Sequence, residues 1–498
     1  MARAVLAVLT LAALPLLWKA LARLAALLGY PYPHDGLEGT LLHEARLLRA
    51  GEPLYQPLQQ LRFVSAPYPP LHALLLALAD RFAGPHVFWS GRLISLIATL
   101  GVAALIILTA RRAGGAWLGG LIGAALFLSA PPALLWATRI KPDMLALLLT
   151  ALGLYLATRA MGDPQRSNVW RWSVVAGCFV LAFFTKQTAI AAPLACGLAL
   201  LTADVRAFDR APPRLRARAD YVGRLPIRWR TLVFGLTYAA LALGVWALLD
   251  GVTGFQYSAH VWGLHRSEWR STALLIKFVE LLAPYWPAAL LAAALVARAL
   301  RTGRALVPAC YALVAPLTLL GASETGANHN HLLETLLALA LLASCAAGWM
   351  AELLARRNPA ALLLLGLLGG QIALAYQPQQ WYLGELAPDD PPARYLTYLR
   401  AAPGEVLADD VGLLFAAGRP LRYDDPSTMG PAARSGVWDQ SGLLREIAER
   451  RFSAILLPLN LERETSDPSG RWTDEMLAAI RAHYRLEFRD TIFTYVPK

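Results

Sequence analysis

The chain has 498 residues, of which 57% are hydrophobic and only 16% charged, where a soluble domain carries roughly 25% charged residues. Its net charge of +12 comes without a groove-reading motif and sits mostly in short loops between apolar runs, so nucleic acid is not an expected partner. Many of the runs reach the roughly 20 residues that cross a bilayer, and only helices satisfy their own backbone there.

Taken in order, the apolar runs predict spans at 4–26, 88–110, 115–132, 143–160, 173–187, 188–203, 231–249, 273–297, 305–322, 332–349 and 359–376. The class is a polytopic α-helical membrane protein with about eleven transmembrane helices. The first run carries Lys19 and Arg23. Secretory apolar regions are shorter and uncharged, so it reads as an uncleaved span. Residues 67–83 are apolar but short, and are expected to lie on or dip into the outer leaflet, with Pro69 and Pro70 in the first turn. The four cysteines fall inside apolar runs and show no metal spacing.

The loops set the expected orientation. Arg111 and Arg112, Arg159 to Arg171, the arginine-rich run at 206–230, Arg298 to Arg304, and Arg356 and Arg357 all fall on one side. That side is cytoplasmic by the positive-inside rule, which places the N terminus inside, in a plasma (inner) membrane. The opposite face holds loops 29–87, 133–142, 250–272 and 323–331, the turn around Lys186, and the tail. Residues 1–376 are expected to form the membrane domain and 377–392 a linker. A small extracytoplasmic α/β domain is expected at 393–498, with strands at 405–408, 454–458 and 491–496 and helices at 442–451 and 474–484.

Nearly all polar residues with chemical potential fall in the outer loops. Asp35 and Glu38 share one face if helical; they read either as a helix start complementing its dipole or as a general base with a neighbouring acid. Arg139 and Lys141 run against the charge bias and point to an anionic head group, beside Asp143 at the start of a span. Lys186 and Gln187 interrupt an apolar stretch. There Lys186 either snorkels or holds a phosphate; Lys19 and Arg23 pose the same choice and read as snorkelling. Asn328, His329, His331 and Glu334 precede and open the tenth span, and an ionisable group at that depth is a functional candidate. Gln256, Tyr257, His260, Trp262, His265 and Trp269 form an aromatic outer loop, read as an interface belt or as stacking surface for a sugar or prenyl chain. No cofactor is required by the sequence. A divalent metal ion is a candidate, with Asp35, Asp143 and His331 as its ligands. No Walker loop, zinc-protease helix or serine-hydrolase elbow is present.

His34-Asp35-Gly36-Leu37-Glu38-Gly39, Gly51-Glu52-Pro53-Leu54-Tyr55, Tyr68-Pro69-Pro70-Leu71, Lys141-Pro142-Asp143-Met144-Leu145, Phe184-Thr185-Lys186-Gln187 and the stretch Asn328–Glu334 together resemble the polytopic GT-C glycosyltransferases. The nearest likeness is to the bacterial branch related to protein O-mannosyltransferases and the lipid A aminoarabinose transferase. The resemblance implies a polyprenyl-phosphate sugar donor and a lipid, glycan or protein acceptor among membrane lipids at the outer face, with mostly inverting chemistry. It matches Asp35 to the first-loop catalytic acid and Asp143 to the acid of the second outer loop. It departs from the pattern in two places: Glu38 follows Asp35 by three residues instead of adjoining an acid, and Tyr68 precedes the paired prolines where a relative has lysine. The rival readings are a lipid or solute transporter, and a non-catalytic scaffold.

Overall fold

The structure, a computed structural model, describes residues 2–82, 84–162, 169–209, 229–264, 276, 280–323, 328–377 and 392–498. The expected linker therefore lies almost wholly outside the described residues, as do His265, Trp269 and most of the run 206–230.

The apolar runs fold as expected into a helical bundle. Its helices are α1 (Ala2–Leu28), α4 (Trp89–Arg112), α5 (Trp117–Ser129), α7 (Asp143–Gly162), α8 (Val169–Phe183), α9 (Ala191–Asp209), α10 (Trp229–Thr253), α11 (Trp286–Thr302), α12 (Leu306–Val314), α13 (Leu333–Ala355) and α14 (Ala360–Ala375). Seven described helices are long and apolar enough to cross a membrane, while those near 117–129, 170–183, 306–321 and 360–375 are shorter. α4 packs on α5 and α7, α7 on α8, and α1 and α13 on α5. The α5–α13 contact is tight because Gly123 has no side chain. A Cβ there would lie 2.5 Å from the Ala340 carbonyl oxygen, a backbone atom that cannot move aside, so the small residue lets the two helices approach.

Between α1 and α4 the chain forms α2 (Leu37–Arg49) and α3 (Pro70–Ala79). α2 is amphipathic, with Leu41, Leu42 and Ala45 buried on one side, and it stands within what the sequence predicts as an outer loop. α3 starts at Pro70, whose fixed φ suits the first helical position. At ten residues it rises about 15 Å, half the hydrocarbon thickness. α6 (Pro131–Trp136), every residue of which is buried, connects α5 to the 137–142 loop.

The tail forms a four-stranded mixed sheet in the order β1-β2-β4-β3, from β1 (Glu405–Ala408), β2 (Phe452–Leu457), β3 (Tyr484–Phe488) and β4 (Phe493–Pro497). β1 and β2 run parallel, and β4 is antiparallel to both neighbours. α15 (Ala393–Ala401), α16 (Val411–Ala416), α17 (Pro426–Arg434), α18 (Ser441–Ala448) and α19 (Asp474–His483) accompany it. This sheet does not stand apart from the membrane part. Phe63 N–H donates to the Arg422 carbonyl at 2.7 Å, and Thr40 donates to the Asp424 carbonyl. α2 packs on α16 so closely that a Cβ on Gly39 would lie 2.6 Å from the Gly412 Cα. The tail thus forms one wall of the region above α3 and α7.

Candidate active site

The segment after α1 is fixed first by Glu38. Arg92 of α4 grips it in a fork, Nε to Oε1 at 3.1 Å and Nη2 to Oε2 at 2.7 Å. Both side chains are fully buried. Glu38 Oε2 also accepts the His34 N–H at 2.7 Å, and Oε1 accepts the Ile140 N–H at 3.0 Å. Arg92 in turn donates to the Tyr30 and Tyr32 carbonyls. One buried carboxylate therefore ties the 30–38 turn, α4 and the 139–141 loop together. Burial alone would raise the Glu38 pKa, but Arg92 outweighs it and holds Glu38 below the ordinary range. With both oxygens engaged, Glu38 is placed as a clamp.

Asp35 sits differently. Its Oδ2 lies 2.8 Å from Lys141 Nζ and 3.7 Å from Arg139 Nη1, and its side chain is 24% exposed. Its Oδ1 has no hydrogen-bond partner among the described residues. Burial pushes this carboxyl up, but Lys141 and Arg139 pull harder and leave it lowered. Both cations lie over the ring of Trp136, at 4.9 Å for Arg139 and 5.9 Å for Lys141, an indole platform that sequence spacing does not reveal. Ser95 fixes their loop by donating to the Arg139 carbonyl at 2.6 Å.

Asp143 opens α7 on the same loop. Lys186 donates to its Oδ1 at 2.5 Å and Asn330 Nδ2 at 2.9 Å, and the Asp143 side chain is only 2% exposed. Its Oδ2 also lacks a partner among the described residues. Asn330 was missed in the sequence, flanked by the two histidines that drew attention. Those histidines stand elsewhere. The His331 ring packs against Gly321, and His329 lies on the 3-10 turn His329–Leu332, whose first N–H is capped by the Asn328 side chain at 2.7 Å. Glu334 accepts from the Tyr311 hydroxyl at 2.7 Å.

Asp35, Asp143 and His331 are not gathered into one ligand set, and the described residues contain no group of three or more His, Cys, Asp or Glu that could hold a metal ion. Lysine ammonium groups stand beside both carboxylates instead. Two further candidates face backbone. Gln187 Nε2 donates to the Pro67 carbonyl at 3.1 Å and the Val261 carbonyl at 3.4 Å. Both His260 ring nitrogens face carbonyls, of Ser65 at 2.7 Å and Gln56 at 2.6 Å. In the aromatic loop, Trp262 stacks on Trp246 with centroids 5.4 Å apart.

Tyr68 is buried near enough to both acids to feel their charges. Its pKa is raised well above the usual phenol value, first by burial, then by the charges of Asp143, Asp425, Asp35 and Glu44. Its hydroxyl therefore stays protonated, within the field of both Asp35 and Asp143. The tail supplies more acids around it. Asp410, which caps α16 through the Leu413 N–H at 3.2 Å, has Oδ1 3.4 Å from where a Gly36 Cβ would stand. Burial and the charge of Asp35 push it up to about 7.

The fold that carries this site recurs in solved structures. The ArnT protein of Cupriavidus metallidurans in its apo state superposes with a TM-score of 0.57 at 14% identity, over 97% of both chains. The same protein bound to undecaprenyl phosphate gives 0.56 at 15%. The oligosaccharyltransferase AglB of Archaeoglobus fulgidus, with an inhibitory peptide and a dolichol-phosphate, gives 0.56 at 12% identity, over 100% of this chain and 74% of that one. The chain has the GT-C fold. A model of the dolichyl-phosphate-mannose-protein mannosyltransferase family matches residues 67–212. That stretch includes Tyr68, Arg139, Lys141, Asp143 and Lys186 and leaves out Asp35 and Glu38. No curated protein matches the sequence.

Proposed function

We propose that the chain is a membrane glycosyltransferase that moves a sugar from a polyprenyl-phosphate donor to a hydroxyl of a lipid, glycan or protein acceptor, with Asp35 as the general base. The observation that carries this reading is the Asp35–Lys141 pair beside the Asp143–Lys186 pair, with one oxygen of each carboxylate unpartnered among the described residues. An acid to take a proton and fixed cations to meet a phosphate are the two things such a transfer needs.

The acceptor hydroxyl gives its proton to the Asp35 carboxylate as its oxygen attacks the anomeric carbon. The bond from that carbon to the phosphate oxygen breaks, with inversion. The departing phosphate gains a second negative charge, met by Lys141, Lys186 and Arg139. Glu38 positions the turn through Arg92, and Tyr68 donates to the sugar or phosphate.

The paired geometry also answers a difficulty. A carboxylate held low by Lys141 and Arg139 is a poor base at neutral pH. The donor phosphate competes for those same cations. Once it draws them away, the burial of Asp35 acts alone and raises its pKa, so the base strengthens when the donor is bound.

The test is transfer in membranes with a panel of radiolabelled polyprenyl-phosphate sugars, wild type against Asp35→Asn. Wild-type turnover in the variant would remove Asp35 from the mechanism, and no transfer from any donor by the wild-type protein would remove the reading itself.

A further inference from the structure

A second polar feature lies inside the bundle, away from both acid–lysine pairs. A cavity of about 330 Å³ opens between α1, α5 and α6, the start of α11, α13 and the end of α14. Leu16, Ala20, Phe127, Leu134, Leu336 and Leu339 give it apolar walls, and Lys19, Arg23 and Tyr376 lie among its lining. α6 divides it from the acids: Pro131 and Leu134 face the cavity, while Trp136, two residues on, carries Arg139 and Lys141.

Lys19 and Arg23 are the unusual members. Lys19 Nζ stands 5.5 Å over the Tyr376 ring, and the Tyr376 hydroxyl donates to the Ala12 carbonyl at 2.5 Å. Neither cation has a carboxylate within ion-pair distance among the described residues. They lie about 13 Å and 7 Å below the end of α1. Side chains lean toward the N-terminus of their helix, so both lean away from the nearer surface, which works against snorkelling. Charges at such depth are costly and need a partner. Two cations one turn apart at the mouth of an apolar groove call for a doubly charged head on a hydrocarbon chain.

We propose that this groove binds polyprenyl phosphate, the phosphate monoester that transfer releases, with its phosphate between Lys19 and Arg23 and its first isoprene units along Leu16, Leu134 and Leu339. This rests on the functional reading above, which makes that carrier the product. Charge selects the monoester. With a second pKa near 6 it carries about −1.5 to −2 at pH 7, matching two cations, whereas the phosphate of a sugar-loaded donor or a glycerophospholipid is a diester with a single charge. The volume stands at the low end of ligand pockets, roughly 300–1,000 Å³, so it takes the head and the start of the chain. The remainder leaves past exposed Trp18 and Tyr376 into the bilayer. Such a site draws the spent carrier away from Lys141 and Lys186 and clears them for the next donor.

The test is native mass spectrometry of the full-length protein with farnesyl phosphate as the probe, against phosphatidylglycerol and inorganic phosphate. Wild type is expected to take two farnesyl phosphates, one at the catalytic lysines and one in the groove. Lys19→Gln/Arg23→Gln and, independently, Leu134→Trp, which fills the groove, should each take one. Asp35→Asn should still take two. Phosphatidylglycerol and inorganic phosphate should bind the groove at least tenfold more weakly. Two farnesyl phosphates on the double variant, or equal binding of phosphatidylglycerol, would overturn the proposal. Binding is read without turnover, so failure of transfer with every donor overturns the functional reading alone, and loss of selective binding overturns the groove alone.

Discussion

Asp35 and Glu38 leave the same turn, carry the same chemical group and are both held below the ordinary carboxylate range by cations. Around Glu38 every lone-pair direction is met: a guanidinium fork, two backbone N–H groups and no exposure. Around Asp35 one oxygen faces lysine and the other faces none of the described residues. A saturated carboxylate holds a fold together, and one with an oxygen left unpartnered can still take a further hydrogen bond. The difference comes from burial and donor count, since residue type and charge are shared.

The sharpest break between the two is Asp35→Asn. Transfer should fall about 10²–10⁴-fold, while the melting temperature in detergent stays near the wild-type value. Glu38→Gln should do the reverse. Removing one partner of a buried pair costs about 3–5 kcal/mol, read as a fall in thermal or denaturant stability, and Glu38→Met/Arg92→Met together should recover part of it. A Glu38→Gln protein that melts normally and loses only turnover would move Glu38 into the chemistry. Lys186→Met removes a charge-assisted bond to Asp143 and a cation for the phosphate. Its kcat/KM should fall roughly 10–100-fold, measured at subsaturating donor.

The pH dependence separates the two acids further. kcat/KM reports the free enzyme and kcat the loaded one. Cations lower Asp35 in the free protein, so the acid limb of kcat/KM should lie below that of kcat. Coincident limbs would show that donor binding leaves Asp35 as it was. The smallest effect is expected at Asp410, whose pKa is raised to about 7. A raised carboxyl keeps its proton in the folded state after the unfolded state has lost it. Its stabilising contribution is therefore complete below about pH 4 and declines as the pH rises to about 7. Asp410→Asn, which still caps α16, should flatten the melting temperature over that window.

Much of this was legible in the sequence, and the limits have physical causes. Apolar runs located the helices because bilayer thickness sets their length, and Pro70 marked the start of α3. The strand at 405–408 lies where expected, but β3 was not expected, and its first residue, Tyr484, was placed in the helix before it. Tyr484 continues the apolar spacing of α19 and only the backbone changes at that point. Asp35, Lys141, Asp143 and Lys186 were named as site residues, but the way they pair was not. The partner of Glu38 is an arginine 54 positions away, and its neighbours in sequence carry no trace of that. Asn330 and Trp136 matter only through where the fold points them, and periodicity does not report direction. The acids of the tail were read as belonging to a support domain, since nothing in their own segment shows that Asp410 reaches Gly36.

The Thr40–Asp424 bond joins residues 384 positions apart, and the Gly39–Gly412 contact nearby is nearly as long in sequence. During synthesis the first helices are made and inserted long before that wall exists. The turn bearing Asp35 therefore waits, half-supported, until the last fifth of the chain has been made and has folded back onto it. A molecule interrupted before then would hold every span and both Lys141 and Lys186 and still lack the contacts that brace the Asp35 turn.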